Sequence, residues 1–289
     1  MSSEAQPAGV PWSPEENVLI VEDYFSMLVV ELEGSPYVKR RHNEELRKLL
    51  RNRNSSSVER KHMNISAILE QLGLPFLEGY KPYRNFQQSL VPVVQVFLAA
   101  HPEFFALVEG VQSRLPAREA GPNAHELREV RPPKGRLDVQ YSSDGKPPVI
   151  RTLVTDYLEI ERRNRELGQL GEEYVLEYER LRLRLAGRDV LAREVVHVSK
   201  VEGDHVGYDV RSFDPKTSEP VSIEVKTTNF NARRPFIISQ HEVEVSRAEG
   251  ARYRLYRVFK FSQDPQFFSL LGPVENSVRL EPLNYRGSI

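Results

Sequence analysis

The chain contains no cysteine, one tryptophan and three methionines among its 289 residues. Without cysteine there is no disulfide framework, no thiolate zinc site and no thiol nucleophile. Long apolar runs are also missing. The longest, Leu90 to Ala100, carries Pro92 and Gln95 and is too short to span a bilayer. Charge of one sign is lacking too: 40 Lys and Arg against 41 Asp and Glu leave a net charge of -1. That excludes a histone-like binder, because no global field draws in nucleic acid and any affinity must come from local patches. The first residues do not show the basic-then-apolar pattern of a signal peptide. Together these absences lead to the expectation of a soluble, cytoplasmic protein with no membrane partner. What is present suits two domains with real cores, since 39% of residues are hydrophobic and 9% aromatic.

The N-terminal part reads as helical. Ser13-Pro14-Glu15-Glu16 offers an N-cap, a proline at the first helical position and a capping-box acid, and Gly34 stops the helix. A short basic helix is expected around Glu44 to Arg51, and Ser56-Ser57-Val58-Glu59 starts another that Gly73 closes. In that helix Val58, Ile65, Ile68, Leu69 and Leu72 form one apolar stripe. Arg60, Asn64 and Gln71 then point outward, with Lys61 and His62 at the margins. This is the layout of a helix-turn-helix reader, in which Arg60, Lys61, His62 and Asn64 touch DNA, although ordinary surface helices carry the same residue types. The loop Gly79 to Phe86 adds Lys81 and Arg84 as phosphate contacts, and the stretch to Val108 supplies a last helix. Residues 116–154, rich in turn formers such as Arg131-Pro132-Pro133-Lys134-Gly135 and Ser142-Ser143-Asp144-Gly145, read as a linker. The resulting organisation is a helical DNA-recognition domain over 1–115, the linker, and a second domain over 155–289.

Chemistry concentrates in the second domain. In Val221-Ser222-Ile223-Glu224-Val225-Lys226 every second residue is apolar, so a strand buries Val221, Ile223 and Val225 and turns Glu224 and Lys226 together to the other face. Gly207 to Phe213 reads as a second strand, folded back by the turn formers of Asp214 to Pro220, which brings Asp209 beside Glu224. Two carboxylates suit Mg²⁺, with Mn²⁺ as a substitute, and Lys226 can orient water or neutralise charge at phosphorus. The bland alternative is an exposed Glu224–Lys226 salt bridge on an amphipathic strand. Glu172, Val175 and Glu179 share one side of the preceding helix, and Glu179 has an i,i+3 partner in Arg182. Pro235 to Ile238 is expected as a short strand, Ser239 to Glu242 as a capping box opening a helix to Glu249, and Tyr253 to Phe261 as a strand. In this reading the site sits at one edge of a mixed sheet, giving an α+β chain: an all-α N-terminal domain followed by an α/β domain.

Gly168-Gln169-Leu170-Gly171-Glu172-Glu173-Tyr174-Val175, Glu179, Gly207-Tyr208-Asp209, Ile223-Glu224-Val225-Lys226-Thr227-Thr228, Pro235-Phe236 and Tyr253 to Val258 resemble the C-terminal domain of the plant protein No Vein. That domain is similar to the PD-(D/E)xK, restriction-endonuclease-like nucleases, including Mrr-type enzymes that cut modified DNA. The likeness covers roughly residues 155 to 265. It implies that Asp209 and Glu224 hold a metal, that Lys226 is the catalytic lysine, and that Glu172 is a helix-borne acid supporting the metal. Trp12-Ser13, Tyr37, Glu59 to Ala67 and Gly79 to Pro82 resemble a module that also precedes HNH-type nucleases. The expectation is a Mg²⁺-dependent DNA endonuclease of restriction or phage-defence type, acting on modified DNA in one version, with a homodimer left open. A catalytically inactive DNA-binding regulatory protein and an RNA-directed nuclease are the alternatives.

Overall fold

The computed structural model describes residues 11–50, 52–116, 125–133 and 165–282. They divide into two compact units, one up to Val111 and one from Gln112 onward. The Ser142 to Pro148 part of the expected linker and the residues 155–164 lie outside the described residues.

Helix α1 (Pro14–Leu32) opens on a complete capping box, Ser13 accepting from the Glu16 N–H while the Glu16 side chain accepts from Ser13 N. The same carboxylate receives Arg53 at 2.6 Å, so one acid both starts the helix and ties it to a distant loop. α2 (Lys39–Leu49) begins earlier than its sequence signals indicate, and α3 (Ser55–Gln71) is capped by Asn54. The expected last helix is two, α4 (Leu90–Ala100) and α5 (Pro102–Gln112), bent by 80°. No single helix among the described residues is long and apolar enough to cross a membrane, although α4 and α5 together reach that length and composition.

The core of this unit changes the reading of α3. From Lys61 to Glu70 the helix is buried on nearly every side, packed against α1, α2 and α4. Asn64, expected to face outward, is buried and donates to the Tyr83 and Asn85 carbonyls at 2.6 and 3.3 Å. Lys61 is buried under the Trp12 ring and donates to Gln87 at 3.0 Å. Burial and the nearby Arg53 push its ammonium down to about 8. His62, fully buried, has Nε2 3.0 Å from Asp23 Oδ2, whose other oxygen meets His42 Nδ1 at 2.7 Å. Lys61 and Asn64 are satisfied internally and His62 is packed beside Asp23, so α3 presents no reading face at these three positions.

The buried pair has a pH signature. Burial holds the His62 ring below the usual histidine range despite Asp23, whereas burial of Asp23 is outweighed by His62 and His42 and its carboxyl ends below its ordinary value. A histidine that resists protonation when folded loses stability for the fold once the unfolded chain begins to take the proton, below about pH 6.5. The Asp23 contribution is lost only further down, below about pH 4. Trp12, the single tryptophan, reports on this unit. Its fluorescence melt is expected at lower temperature at pH 5.5 than at pH 7.5, and identical melts would mean that His62 is protonated at no cost.

The second unit is a mixed six-stranded sheet between helical layers. The strands are β1 (Arg128–Glu129), β2 (Val196–His197), β3 (Val210–Phe213), β4 (Pro220–Thr227), β5 (Tyr253–Phe259) and β6 (Gln266–Leu271), ordered β1-β6-β5-β4-β3-β2. β4 pairs antiparallel with β3 and parallel with β5, and β1 pairs parallel with β6. β1 lies within the stretch read as a linker. Helix α6 (Arg165–Leu185) covers one face, joining Leu170, Tyr174 and Val175 to Val221, Ile223, Val225 and Tyr256. Short helices α7 (Asp189–Arg193) and α8 (Val198–Val201) follow. α9 (Gln240–Glu249) crosses between β4 and β5, and Val245 with Phe236 and Ile238 packs on Tyr253 and Leu255 of the other face. Pro235 to Ile238 forms no strand. β4 and β5 are interior strands, so the site does not sit at a sheet edge. The α+β class with a mixed sheet holds.

Candidate metal and phosphodiester centre

Strand alternation decides which side chains meet. Val221, Ile223 and Val225 enter the α6-side core, which leaves Glu224 and Lys226 together on the α9 side. Glu224 is 3% exposed. Asp209 precedes β3, where its N–H donates to the Ile223 carbonyl at 2.9 Å and its Oδ2 accepts from Val225 N at 2.7 Å. Backbone on both sides therefore fixes Asp209 against the strand that carries Glu224. Gly207, two residues earlier, has φ +81°, and a Cβ there would come 2.6 Å from Val245 Cγ2, so the chain can enter this position only without a side chain. Gly171 serves α6 in the same way, since a Cβ would collide with the Thr227 side chain.

Lys226 bridges two acids. Its Nζ lies 2.6 Å from Glu224 Oε1 and 3.1 Å from Glu242 Oε2. Burial disfavours its charge, but Glu224, Glu242 and Asp209 outweigh that and hold it above the ordinary lysine value. The carboxylates respond in the opposite sense. Burial and the negative charge of Glu172 push Asp209 up to about 7, and burial with the charge of Asp209 raises Glu224 well above the carboxylate range. A buried Glu224 and a partly buried Asp209, whose charge raises Glu224, form with one ammonium beside them an oxygen-only site with an excess of negative character.

Glu172 reaches this region from α6. Its Oε2 accepts from His197 Nε2 at 2.6 Å and from Ser199 Oγ at 2.8 Å. It is close enough to raise Asp209 by its charge, yet the oxygen is already engaged. Of the expected site residues, Asp209, Glu224 and Lys226 come together with Glu172 beside them. Arg60, Lys81 and Arg84 lie exposed on the other unit, Arg84 paired with Glu70 at 3.0 Å, and Lys61, His62 and Asn64 are buried there. Glu179 is turned away from the centre and fully buried, paired with Arg182.

Sequence reading did not assign Glu242, His197, Ser199 or Tyr253 to the centre. Glu242 was visible only as the acid of a capping box. Tyr253 is fully buried, its hydroxyl has no hydrogen-bond partner among the described residues, and burial together with the charges of Glu224, Glu242 and Asp209 raises it far above the usual phenol. Arg257, across from Lys226 in the β4–β5 register, is 1% exposed and lies 5.3 Å from the Phe236 ring.

Among the described residues no three His, Asp or Glu side chains are arranged to hold a metal. Asp209 and Glu224 still fit Mg²⁺, which commonly takes one or two carboxylates and fills its remaining positions with water and phosphate. The excess negative character of the pair is what a divalent cation relieves. No curated protein and no solved structure matches the chain. Residues 171–270, the span that carries Glu172, Asp209, Glu224, Lys226 and Glu242, match the family model described as Protein NO VEIN, C-terminal.

Proposed function

We propose that the second unit is a Mg²⁺-dependent phosphodiesterase, and that the chain is a DNA endonuclease of restriction or phage-defence type. The observation that carries this reading is the convergence of Asp209, just before β3, with Glu224 and Lys226 of β4 at one place, Glu224 buried and the other two partly exposed. Asp209 and Glu224 would hold the cation. A bound Mg²⁺ supplies charge neutralisation at the attacking and leaving oxygens of the phosphodiester. Lys226 contributes a positive charge, held between Glu224 and Glu242, that orients water and stabilises charge at phosphorus. Glu172, held by His197 and Ser199, adds negative potential at Asp209. Hydrolysis proceeds without a covalent protein intermediate.

The family match supports the likeness to No Vein that the sequence motifs carry. Contact with DNA in the N-terminal unit falls to residues that are exposed. These are Arg60, Lys81 and Arg84, together with α2, whose Lys39, Arg40, Arg41, Arg47 and Lys48 face solvent against only Glu44 and Glu45. Such contacts grip phosphates and carry no base sequence.

The purified chain is assayed on modified DNA, unmodified DNA and RNA with Mg²⁺, Mn²⁺, Ca²⁺ or EDTA. DNA cleavage with Mg²⁺ or Mn²⁺, and binding without hydrolysis in Ca²⁺, is the expected result. Full activity in excess EDTA rules this centre out as the catalyst, and cleavage confined to RNA reassigns the substrate.

A further inference from the structure

Glu242 opens α9 by the capping box, accepting the Ser239 N–H at 2.7 Å while its own N–H donates to Ser239 Oγ at 3.1 Å. The carboxylate that caps the helix also accepts Lys226 Nζ at 3.1 Å. Its position is therefore set by the first turn of α9 and not by the strand that carries the lysine. Glu224, the other partner of Lys226, is an adjacent residue of the same strand face and a metal ligand in the reading above.

We propose that Glu242 is the positioning residue of Lys226, keeping the ammonium at the centre when the charge of Glu224 is taken up by a cation. The inference rests on the nuclease reading for its purpose but not for its geometry. A cation on Glu224 both withdraws the attraction that Glu224 offers Lys226 and repels the ammonium. Without a second anchor the lysine would swing out of the half-open site. Glu242 supplies that anchor from a separate element, and α9 is itself fixed by Val245 packing toward Tyr253 and Leu255. A helix cap and a catalytic lysine thus share one carboxylate.

The test uses the full chain and separates capping from charge. Glu242→Gln retains the cap, because glutamine serves at this capping-box position, and removes the charge. The Lys226 side-chain ammonium is followed by ¹⁵N NMR in metal-free buffer and identified by its absence in Lys226→Arg. Its signal is expected to persist in Glu224→Gln, where Glu242 alone holds it, and to be lost to exchange in Glu224→Gln/Glu242→Gln. Loss in Glu224→Gln alone, or persistence in the double variant, overturns the proposal. In cleavage, Glu242→Gln is expected to lower kcat by about 10–100-fold with KM and melting temperature unchanged, the usual range for a group that orients a reacting one. Ser239→Ala, which weakens the cap and spares the charge, is expected to keep both the ammonium signal and kcat, and an equal loss of kcat there makes Glu242 a cap only. If the wild-type chain cuts nothing, the nuclease reading fails while the NMR comparison still decides whether Glu242 holds Lys226.

Discussion

Lys226→Ala and Asp209→Asn are each expected to abolish cleavage, by at least roughly 10²–10³-fold, the loss that follows removal of one preorganised group acting on transition-state charge. Their effects on the resting protein differ in sign, and that difference tests the electrostatic account. Removing Lys226 leaves Glu224 and Glu242 without the ammonium that both contact, so the metal-free protein melts lower and recovers when Mg²⁺ is added. Asp209→Asn keeps an oxygen to accept from Val225 N and deletes the charge that disfavours the buried Glu224 carboxylate. Its melting temperature in chelator stays level or rises while cleavage disappears, as befits a site whose arrangement opposes stability. Scanning calorimetry in EDTA and in Mg²⁺, alongside cleavage, reads both effects. Near-wild-type cutting by Lys226→Ala would sink the assigned chemistry.

The parts legible in the sequence are those that local spacing decides. Alternation over Val221 to Lys226 placed Glu224 and Lys226 on one face, and the turn formers of Asp214 to Pro220 fixed the β3–β4 hairpin. Both capping boxes start helices where the signature stands. What was not legible depends on partners far along the chain. Asn64 and Lys61 look like surface residues beside an apolar stripe, and only carbonyls and side chains 19 to 26 positions away make their burial tolerable. The interior position of β4 follows from the α9 crossover that sets β5 beside it, a parallel pairing with no turn signal of its own. The two-residue β1 is too short to show any period, and it exists because β6 offers an edge. Glu242 was correctly placed at a helix start, yet a capping signature says nothing about a lysine sixteen residues earlier.

Glu179→Ala is expected to destabilise the second unit strongly. The carboxylate is fully buried and completely satisfied: Arg182 donates through Nε at 3.0 Å and Nη2 at 2.5 Å, Ser212 Oγ at 2.5 Å and the Tyr256 hydroxyl at 3.0 Å. Through it α6 is bonded to β3 and β5 at once. Truncation leaves the Ser212 and Tyr256 hydroxyls buried without their acceptor and uncouples Arg182, which keeps only the Phe213 carbonyl. Removing one partner of a buried ion pair costs about 3–5 kcal/mol. For a unit of this size that lowers the melting temperature by roughly 6–20 °C. Glu179→Gln, which keeps the shape and one acceptor oxygen, falls between Ala and wild type, because charge-assisted bonds contribute roughly twice what neutral ones do. Cleavage by Glu179→Gln below its melting temperature stays at the wild-type rate, since this acid faces Arg182 and the sheet core and not Asp209. A loss of turnover in a folded Glu179→Gln would instead place this residue among the acids of the centre, and equal melting of Ala and wild type would show that Arg182, Ser212 and Tyr256 find other partners without cost.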